Sequence, residues 1–248
     1  MIIMLDLDEI DLLTAWERGR AHGVSARGPM ALLAAAYPEQ SAASLGQLTI
    51  GQRDSLLLAL REQLFGARMH GLSNCAECNE TLSVDLDVED FRLSAGASSV
   101  GPVALEEDDY AVSFRLPNSA DLLPLADAGS VSEGRLMLLE RLLITATHNG
   151  SPACLDEIPE GLLSRVESRM AEIEPQAYVR LNFDCDACHC RTVTLFDIAS
   201  FLWTEVEVWA VRTLREIHEL ARAYGWSEAE ILRLSPWRRR CYMELLGV

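Results

Sequence analysis

The chain has 248 residues, 49% of them apolar, and a formal net charge of −17 from 38 acidic and 21 basic residues. All the basic residues are Arg, and the acidity argues against unaided binding to nucleic acid, whose phosphates the chain would repel. The N-terminus lacks a basic segment and no apolar run approaches ~18 residues, so neither a secretory signal nor a membrane span is predicted. Seven cysteines in such a chain favour reduced thiols and metal binding over disulfides, with the protein made in the cytoplasm.

Three helices are predicted in the first 66 residues. The first is capped by Asp8 and runs through about His22, and the second covers 29–37. The third begins at Thr49 and ends at Gly66, a typical glycine just beyond a helix C-terminus. This part of the chain therefore reads as helical.

The first Cys-x-x-Cys knuckle, Cys75 and Cys78, is followed by strand-like alternation over 82–88. The small and acidic residues 94–109 predict a flexible loop. Residues 110–114 alternate again and predict a second strand.

Helices are predicted over 121–128, 130–147 and 160–174, with His148-Asn149-Gly150 ending the second of them. Residues 177–183 then alternate as a strand that leads into the second knuckle.

A long helix is predicted from Asp197 to Tyr224, with apolar residues at 3-4 spacing on one stripe: Trp203, Val206, Ala210, Leu214, Ile217 and Ala221. Ser227 and Glu230 form a capping box for a short helix, and Ser235 caps the last one. The aromatic stripe is core by default, but Trp and Arg are enriched at interfaces. The residues predicted to contact partners are Trp209, Trp226, Trp237, Arg238 and Arg239.

Residues 75–91 and 185–201 align without a gap at an offset of 110 residues. The alignment superposes Cys75 on Cys185 and Cys78 on Cys188. It also superposes three further pairs: Asp87 on Asp197, Val88 on Ile198, and Phe91 on Phe201. The likeness suggests a repeat, although the residues inside the two knuckles differ, Ala76-Glu77 against Asp186-Ala187.

Four thiols in two spaced pairs meet the requirement of a closed, tetrahedral zinc site. The sequence therefore predicts one structural zinc ion on Cys75, Cys78, Cys185 and Cys188. The separation of the pairs, 79–184, exceeds the usual ~15–20 residues, so two turns without a metal remain an alternative. A redox pair is disfavoured because strand-like sequence follows both knuckles. His189 and Cys190 are interpreted as bystanders.

The predicted fold class is α+β, mostly helical, with two zinc-ribbon-like strand segments brought together around one metal. The predicted regions are 1–74 (helical), 75–93 (first knuckle and strand), 94–109 (flexible acidic loop), 110–184 (strand plus helices) and 185–248 (second knuckle and long helices). Because a shared ion would join opposite halves, the chain is expected to form one interwoven domain, 1–248.

No catalytic motif is found: the chain lacks HExxH and GxGxxG, and the absence of Lys excludes a phosphate-binding P-loop. The sequence therefore predicts a protein that is not an enzyme and has no small-molecule substrate.

Six segments in order resemble the T-even-type phage baseplate protein family, which also occurs in phage-like contractile injection systems. They are RDSLLLALREQLFG (53–66), CAEC (75–78), VSFRLPNSADLLPLA (112–126), LLERLLITATHNG (138–150), EPQAYVRLNFDCDAC (174–188) and the stretch 196–236. The resemblance implies a structural or assembly component of a contractile-tail baseplate, with hub, spike, tape-measure or other baseplate proteins as partners. It leaves open whether the protein stays in the finished particle. The chain departs from the family pattern at His189-Cys190, where a glycine is expected after the second knuckle.

Two other functions remain open at this point. A zinc-ribbon adaptor of a transcription or nucleic-acid complex would bind DNA or RNA, which the net charge of −17 disfavours. A zinc hydrolase would need an open coordination position, which four thiolates do not leave.

Overall fold

A computed structural model describes residues 4–21, 28–92 and 101–247. Within these ranges the helices are α1 (Glu9–Arg20), α2 (Gly28–Ala36), α3 (Ala42–Gly46), α4 (Ile50–Phe65), α5 (Ser119–Leu122), α6 (Val131–Leu142), α7 (Glu160–Ile173), α8 (Ile198–Tyr224), α9 (Glu228–Leu232) and α10 (Pro236–Leu246). The strands are β1 (Arg68–Asn74), β2 (Thr81–Asp87), β3 (Val103–Glu107), β4 (Tyr110–Phe114), β5 (Leu143–His148), β6 (Ser151–Pro152), β7 (Arg180–Asp184) and β8 (Arg191–Leu195). The predicted α+β class is confirmed. None of the helices in these ranges combines the length and the apolar character needed to cross a bilayer.

The chain divides into two compact units. One comprises Met1–Gln40 and Ala199–Val248, and the other comprises Ser41–Ile198. The strands described above all lie in the second unit, whereas the first unit is built from helices.

The predicted helix caps at Asp8 and Gly66 agree with the structure. The Asp8 side chain accepts a hydrogen bond from the Asp11 N–H at 2.8 Å, and α1 begins at Glu9. Gly66 follows α4 with a φ of 85°, a left-handed conformation that glycine adopts without steric cost. The predicted first helix extends to His22, which lies outside the described residues. Short polar side chains at predicted caps therefore mark the helix starts correctly.

The core of the first unit is organised around Trp203 of α8, which is buried. Two backbone positions press against its indole ring: a Cβ atom added to Gly19 or Gly28 would lie 2.4 Å from ring carbons. Since real Cβ contacts do not come this close, both positions need glycine. Leucines of α1 and α2, among them Leu12 and Leu33, are buried in the same unit.

Arg239 is a buried cation in this unit, and the structure contradicts its predicted place on a partner-facing surface. Only 2% of the residue is exposed. Its guanidinium donates to Glu9 at 2.7 Å, to Glu216 at 3.3 Å and to the Leu234 carbonyl at 2.9 Å. Burial alone would lower the pKa of Arg239, but the two carboxylates raise it. Arg239 therefore ties α10 to α1 and α8, and it is not available to a partner.

The second unit contains a four-stranded antiparallel sheet in the order β3-β4-β5-β6. One face of this sheet packs on α6 and α7 through a buried apolar cluster of Val112, Phe114, Leu139, Ile158, Leu162, Leu163 and Val166. Two further sheets in this unit are two-stranded hairpins, β1-β2 and β7-β8.

Two sequence predictions fail in this sheet. Of the predicted loop 94–109, residues 94–100 lie outside the described residues, and Val103–Glu107 forms strand β3 against β4. The predicted helix over 130–147 stops at Leu142, and Leu143–His148 forms β5 between β4 and β6. This segment is rich in β-branched residues, and the open edge of β4 supplies its hydrogen-bond partners.

Replacing Gly28 by Ala tests the close packing on Trp203. The added methyl group would overlap the indole ring, and we expect it to lower the free energy of unfolding by about 2 kcal/mol. A matched control is Gly161→Ala in α7, where a Cβ atom meets nothing within 4 Å. We expect that control to leave stability unchanged or to raise it by about 0.5 kcal/mol. Urea unfolding of both variants provides the comparison, and equal effects would show that the indole ring does not require glycine.

Removing the buried Arg239 side chain should destabilise the protein far more than removing its exposed neighbour. Arg239→Ala leaves two partly buried carboxylates without their cation, and we expect a loss of roughly 3 kcal/mol. Arg240→Ala, on the exposed side of α10, should change stability by less than about 0.5 kcal/mol. The measurement is the free energy of unfolding, and similar values for both variants would contradict the structural role of Arg239.

Candidate metal centre

The two Cys-x-x-Cys knuckles lie at the tips of the hairpins β1-β2 and β7-β8. In the first, the Cys75 N–H donates to the Glu80 carbonyl at 2.8 Å, and the Asn79 N–H donates to the Cys75 carbonyl at 3.0 Å. In the second, the equivalent bonds have the same pattern: Cys185 to Cys190 at 3.0 Å and His189 to Cys185 at 2.8 Å. The repeat suggested by the alignment is therefore present in the backbone hydrogen bonds.

Both knuckles turn through a left-handed residue at the position after the second cysteine. Asn79 and His189 each have a φ of 58°. This conformation is uncommon outside glycine, but Asn and His are among the residues that adopt it most readily. His189 therefore makes the turn for which a glycine was expected, and the two loops close in the same way.

The four sulfur atoms converge in one cluster. Cys75 Sγ lies 3.6 Å from Cys188 Sγ, and Cys78 Sγ lies 3.6 Å from Cys185 Sγ. All four sulfurs are within 4.8 Å of one another. An ion with Zn–S bonds of ~2.3 Å would hold tetrahedral sulfurs at about 3.8 Å, close to these separations. The distances also exceed the ~2.05 Å of a disulfide, so the cysteines are free thiols placed to hold a metal ion.

Hydrogen bonds favour the thiolate form of Cys75. The backbone N–H groups of Cys78 and Glu77 donate to its sulfur, as does the hydroxyl of Thr192 at 3.6 Å, and together they lower the pKa of Cys75 to about 6. Cys75 is also buried. A buried sulfur that accepts three hydrogen bonds is well placed to act as a metal ligand.

The neighbouring thiols resist ionisation when no cation is among them. The Cys190 N–H donates to the Cys188 sulfur, which favours the thiolate, but desolvation and the other three sulfurs raise the pKa of Cys188 well above its ordinary value. The pKa of Cys78 is also raised: the Glu80 N–H and the Cys188 sulfur favour its thiolate, but desolvation and the sulfurs of Cys185 and Cys75 outweigh them. Four thiolates at these distances would repel one another, and a divalent cation relieves that repulsion.

Contacts between the hairpins hold the two knuckles in register. The Ala76 N–H donates to the Thr192 hydroxyl at 3.4 Å, and the Ser73 and Thr194 hydroxyls lie 3.3 Å apart. Thr192 is 3% exposed and contacts both the backbone of the first knuckle and the Cys75 sulfur. Sequence reasoning missed Thr192, because its repeat equivalent is Leu82 and only the folded pairing brings it to the first knuckle.

Aromatic packing supports the base of the hairpins. The rings of Phe91 and Phe196 lie 4.4 Å apart, and Val88 and Ile198 are both buried. Val88 and Ile198 are equivalent positions in the repeat. The aligned segments therefore share apolar positions as well as cysteines.

The four cysteines would fill the coordination sphere of a tetrahedral metal ion. Among the described residues, the group with the spacing of a metal site consists of the four cysteines alone, and neither His189 nor Cys190 belongs to it. Four sulfur ligands saturate a tetrahedral ion and leave no position for water or substrate. The arrangement can fix structure but offers no open site for catalysis.

The other residues predicted to contact partners have different surroundings in the first unit. Trp226 stacks on Tyr224 with centroids 4.7 Å apart and meets Tyr242 edge-on at 5.0 Å. Trp209 is half-buried, Trp237 is 73% exposed, and Arg238 is exposed. Of this set, Trp237 and Arg238 lie fully on the surface.

Comparison with known proteins yields one family. The model of the family described as "T4 bacteriophage base plate protein" matches residues 30–203, a span that includes all four cysteines and both hairpins. No curated protein and no solved structure matches the chain. Because the match covers well over half of the 248 residues, the chain belongs to the T4 bacteriophage base plate protein family.

Proposed function

We propose that this protein is a non-enzymatic structural or assembly component of the baseplate of a phage-like contractile injection system, stapled by one zinc ion. Family membership supports a baseplate structural role. The observation that carries the zinc staple is the convergence of four sulfurs, all within 4.8 Å of one another, from two hairpins. The proposed ligands are Cys75, Cys78, Cys185 and Cys188.

Zinc is the metal that fits this donor set best. Calcium and magnesium require oxygen ligands, whereas four thiolates in a tetrahedron are typical of zinc or iron. Sulfurs this close together enclose a single ion, since a cluster of several irons would hold its cysteines further apart. Zinc has no redox chemistry, and its filled d shell imposes no preferred coordination geometry. Both properties suit a purely structural site.

The proposed staple stabilises parts of the fold that are weak alone. A two-stranded hairpin is marginally stable in water, and each knuckle lies at the end of one hairpin. One ion would join them across a separation of 107 residues between Cys78 and Cys185. Metal binding then contributes directly to the free energy of folding, and the joined hairpins form a rigid brace.

Other baseplate, hub, spike or tape-measure proteins are the proposed partners. Assembly would take place in the cytoplasm, with or without retention in the finished particle. The alternative, a zinc-ribbon adaptor in a nucleic-acid complex, is disfavoured by the net charge of −17, which repels phosphates.

Metal content tests the staple. We expect the purified full-length chain to contain one zinc per molecule by elemental mass spectrometry. Cys185→Ser should lose the ion and several kcal/mol of stability, seen as a fall in the melting temperature of about 10 °C or more. The matched control is Cys154→Ser, an exposed thiol outside the cluster, which should keep the zinc. Iron in place of zinc would overturn the metal assignment, and no metal in the parent chain would overturn the staple.

Thr192→Val tests the hydrogen bonds that support the Cys75 sulfur. The change keeps the shape of the side chain but removes the hydroxyl, and we expect zinc affinity to fall about 10-fold. Thr194→Val is the control, since its hydroxyl contacts Ser73 rather than a ligand. Competition with a chromophoric chelator measures both affinities, and an unchanged value for Thr192→Val would show that the hydroxyl does not tune the site.

Copurification tests the baseplate role. A tagged chain expressed in its native cell should copurify with hub, spike or tape-measure proteins, identified by mass spectrometry. A low-salt gel shift with duplex DNA and with RNA tests the adaptor alternative. Binding to nucleic acid with no tail component recovered would reverse the choice between the two functions.

A further inference from the structure

Three carboxylates of the second unit come together beside the first turns of α4. Asp54 lies in α4 and is 7% exposed, Glu174 follows α7, and Asp197 precedes α8. Glu174 and Asp197 are both close enough to Asp54 for their charges to act on it. Residues from three separate parts of the chain therefore form one group of acidic side chains, here named the carboxylate cluster.

Among the described residues, one guanidinium acts on the buried member of the cluster. Arg53 Nε donates to the Asp54 carboxylate at 2.8 Å, and Arg53 Nη2 lies 2.7 Å from the same oxygen. Arg53 is itself buried. One cation therefore faces three carboxylates, and the fully ionised cluster keeps an excess of negative charge.

Glu174 is held against the beginning of α4. The Thr49 hydroxyl donates to Glu174 Oε1, and Thr49 is the residue that caps α4. The Glu174 side chain also packs on Gly51, where an added Cβ atom would lie 2.5 Å from Glu174 Cγ. The other carboxylate oxygen, Oε2, is buried and has no hydrogen-bond partner in the part of the chain that the structure describes. These contacts fix the Glu174 carboxylate beside α4, so its charge stays near Asp54.

Burial and repulsion both favour a proton on Asp54. Removing a carboxylate from water penalises its charged form, and nearby negative charges add to this cost. Burial raises the pKa of Asp54 most, Arg53 lowers it, and Asp197 and Glu174 raise it again, which brings the pKa to about 6. Since the ordinary value is 3.8, the fold increases the proton affinity of this side chain about 100-fold.

A carboxyl group whose pKa is raised by folding stabilises the fold while it holds its proton. The contribution of Asp54 is therefore complete below the unfolded pKa of about 3.9 and is lost as the pH rises through about 6. Above that pH, an ionised Asp54 lies buried beside Glu174 and Asp197, which both repel it. Because residues 174–177 pack against α4, the repulsion by Glu174 acts directly across this contact.

We infer that the carboxylate cluster is a pH-sensitive latch of the second unit: in mildly acidic solution a proton on Asp54 tightens the contact between α4 and residues 174–177, and loss of that proton loosens it. This inference is independent of the proposed zinc staple and of the baseplate role, because none of the three carboxylates belongs to the group of four cysteines.

NMR titration of the aspartate carboxyl carbons in the purified full-length chain tests proton uptake. One Asp signal should titrate with a midpoint at about pH 6, and Asp54→Asn should remove that signal. Glu174→Gln removes a neighbouring charge but keeps an oxygen that accepts from Thr49, and it should lower the midpoint by roughly half a pH unit. The control is Glu172→Gln at an exposed position of α7, which changes the net charge equally and should leave the midpoint unchanged.

Thermal unfolding at about pH 5 and at about pH 8 tests whether the proton stabilises the fold. Relative to the parent chain, Glu174→Gln should have a melting temperature about 2 °C more favourable at the higher pH than at the lower, because it removes repulsion only where Asp54 is ionised. Glu172→Gln should differ from the parent by the same amount at both pH values. Comparing variants with the parent cancels the titration of the thiols and of the other carboxylates.

Hydrogen exchange tests the contact itself. The Ala177 N–H donates to the Glu174 carbonyl and the Tyr178 N–H donates to the Pro175 carbonyl, both at 3.0 Å. The protection factors of these two amides should be lower at about pH 8 than at about pH 5 in the parent chain. The difference should be smaller in Glu174→Gln and unchanged in Glu172→Gln.

Two results would overturn the inference. The first is the absence of any Asp signal with a midpoint above about pH 5, or a midpoint that Glu172→Gln shifts as much as Glu174→Gln does. The second is a midpoint at about pH 6 with no pH-dependent difference in stability or protection between the parent and Glu174→Gln, which would mean that the proton binds without tightening the contact. If Asp54→Asn fails to fold, the shift in Glu174→Gln identifies the signal.

Discussion

Four thiols from two hairpins come together at the spacing of the ligands of one tetrahedral ion. Hydrogen bonds hold the Cys75 sulfur close to the thiolate form, while crowding by the other sulfurs opposes ionisation of Cys188. The convergence of these four sulfurs is the physical constraint that links the two hairpins of the second unit. A bound divalent cation would relieve the repulsion among four thiolates and make the cluster a closed junction. The surrounding hydroxyl contacts and the Phe91–Phe196 packing are arranged around that junction.

Four sulfur ligands around one ion suit a structural role and not a catalytic one. A saturated sulfur site supplies neither a bound water nor a position for substrate, and the motifs of common catalytic sites are missing from the sequence. The second unit carries the four-cysteine cluster, and in the helical first unit Arg239 lies between Glu9 and Glu216. These are properties suited to a component of a large assembly, in keeping with the family to which the chain belongs.

Local signals in the sequence predicted much of this architecture. The knuckles, the caps such as Ser235, and the strand predicted over 82–88 depend on neighbours within a few positions, and the structure agrees with them, placing that strand at Thr81–Asp87. Features set by distant pairing were missed. Leu143–His148 looked like the end of a helix because its partner strand β4 lies about 30 residues away in the chain. Thr192 gained its role only when the hairpins paired, and Arg239 was mistaken for a surface residue because its carboxylate partners lie far away in sequence. A sequence pattern shows which residues are neighbours along the chain, but it cannot show which distant side chain the fold places next to them.

X-ray absorption at the zinc edge on the purified full-length chain tests the shared ion most directly, because it counts the ligands of the metal itself. If one ion holds both knuckles, the spectrum should show about four sulfur atoms at ~2.3 Å and no oxygen or nitrogen in the first shell. A shell of two sulfurs completed by oxygen or nitrogen would mean that the two cysteine pairs do not share an ion, and the brace between the hairpins would be contradicted.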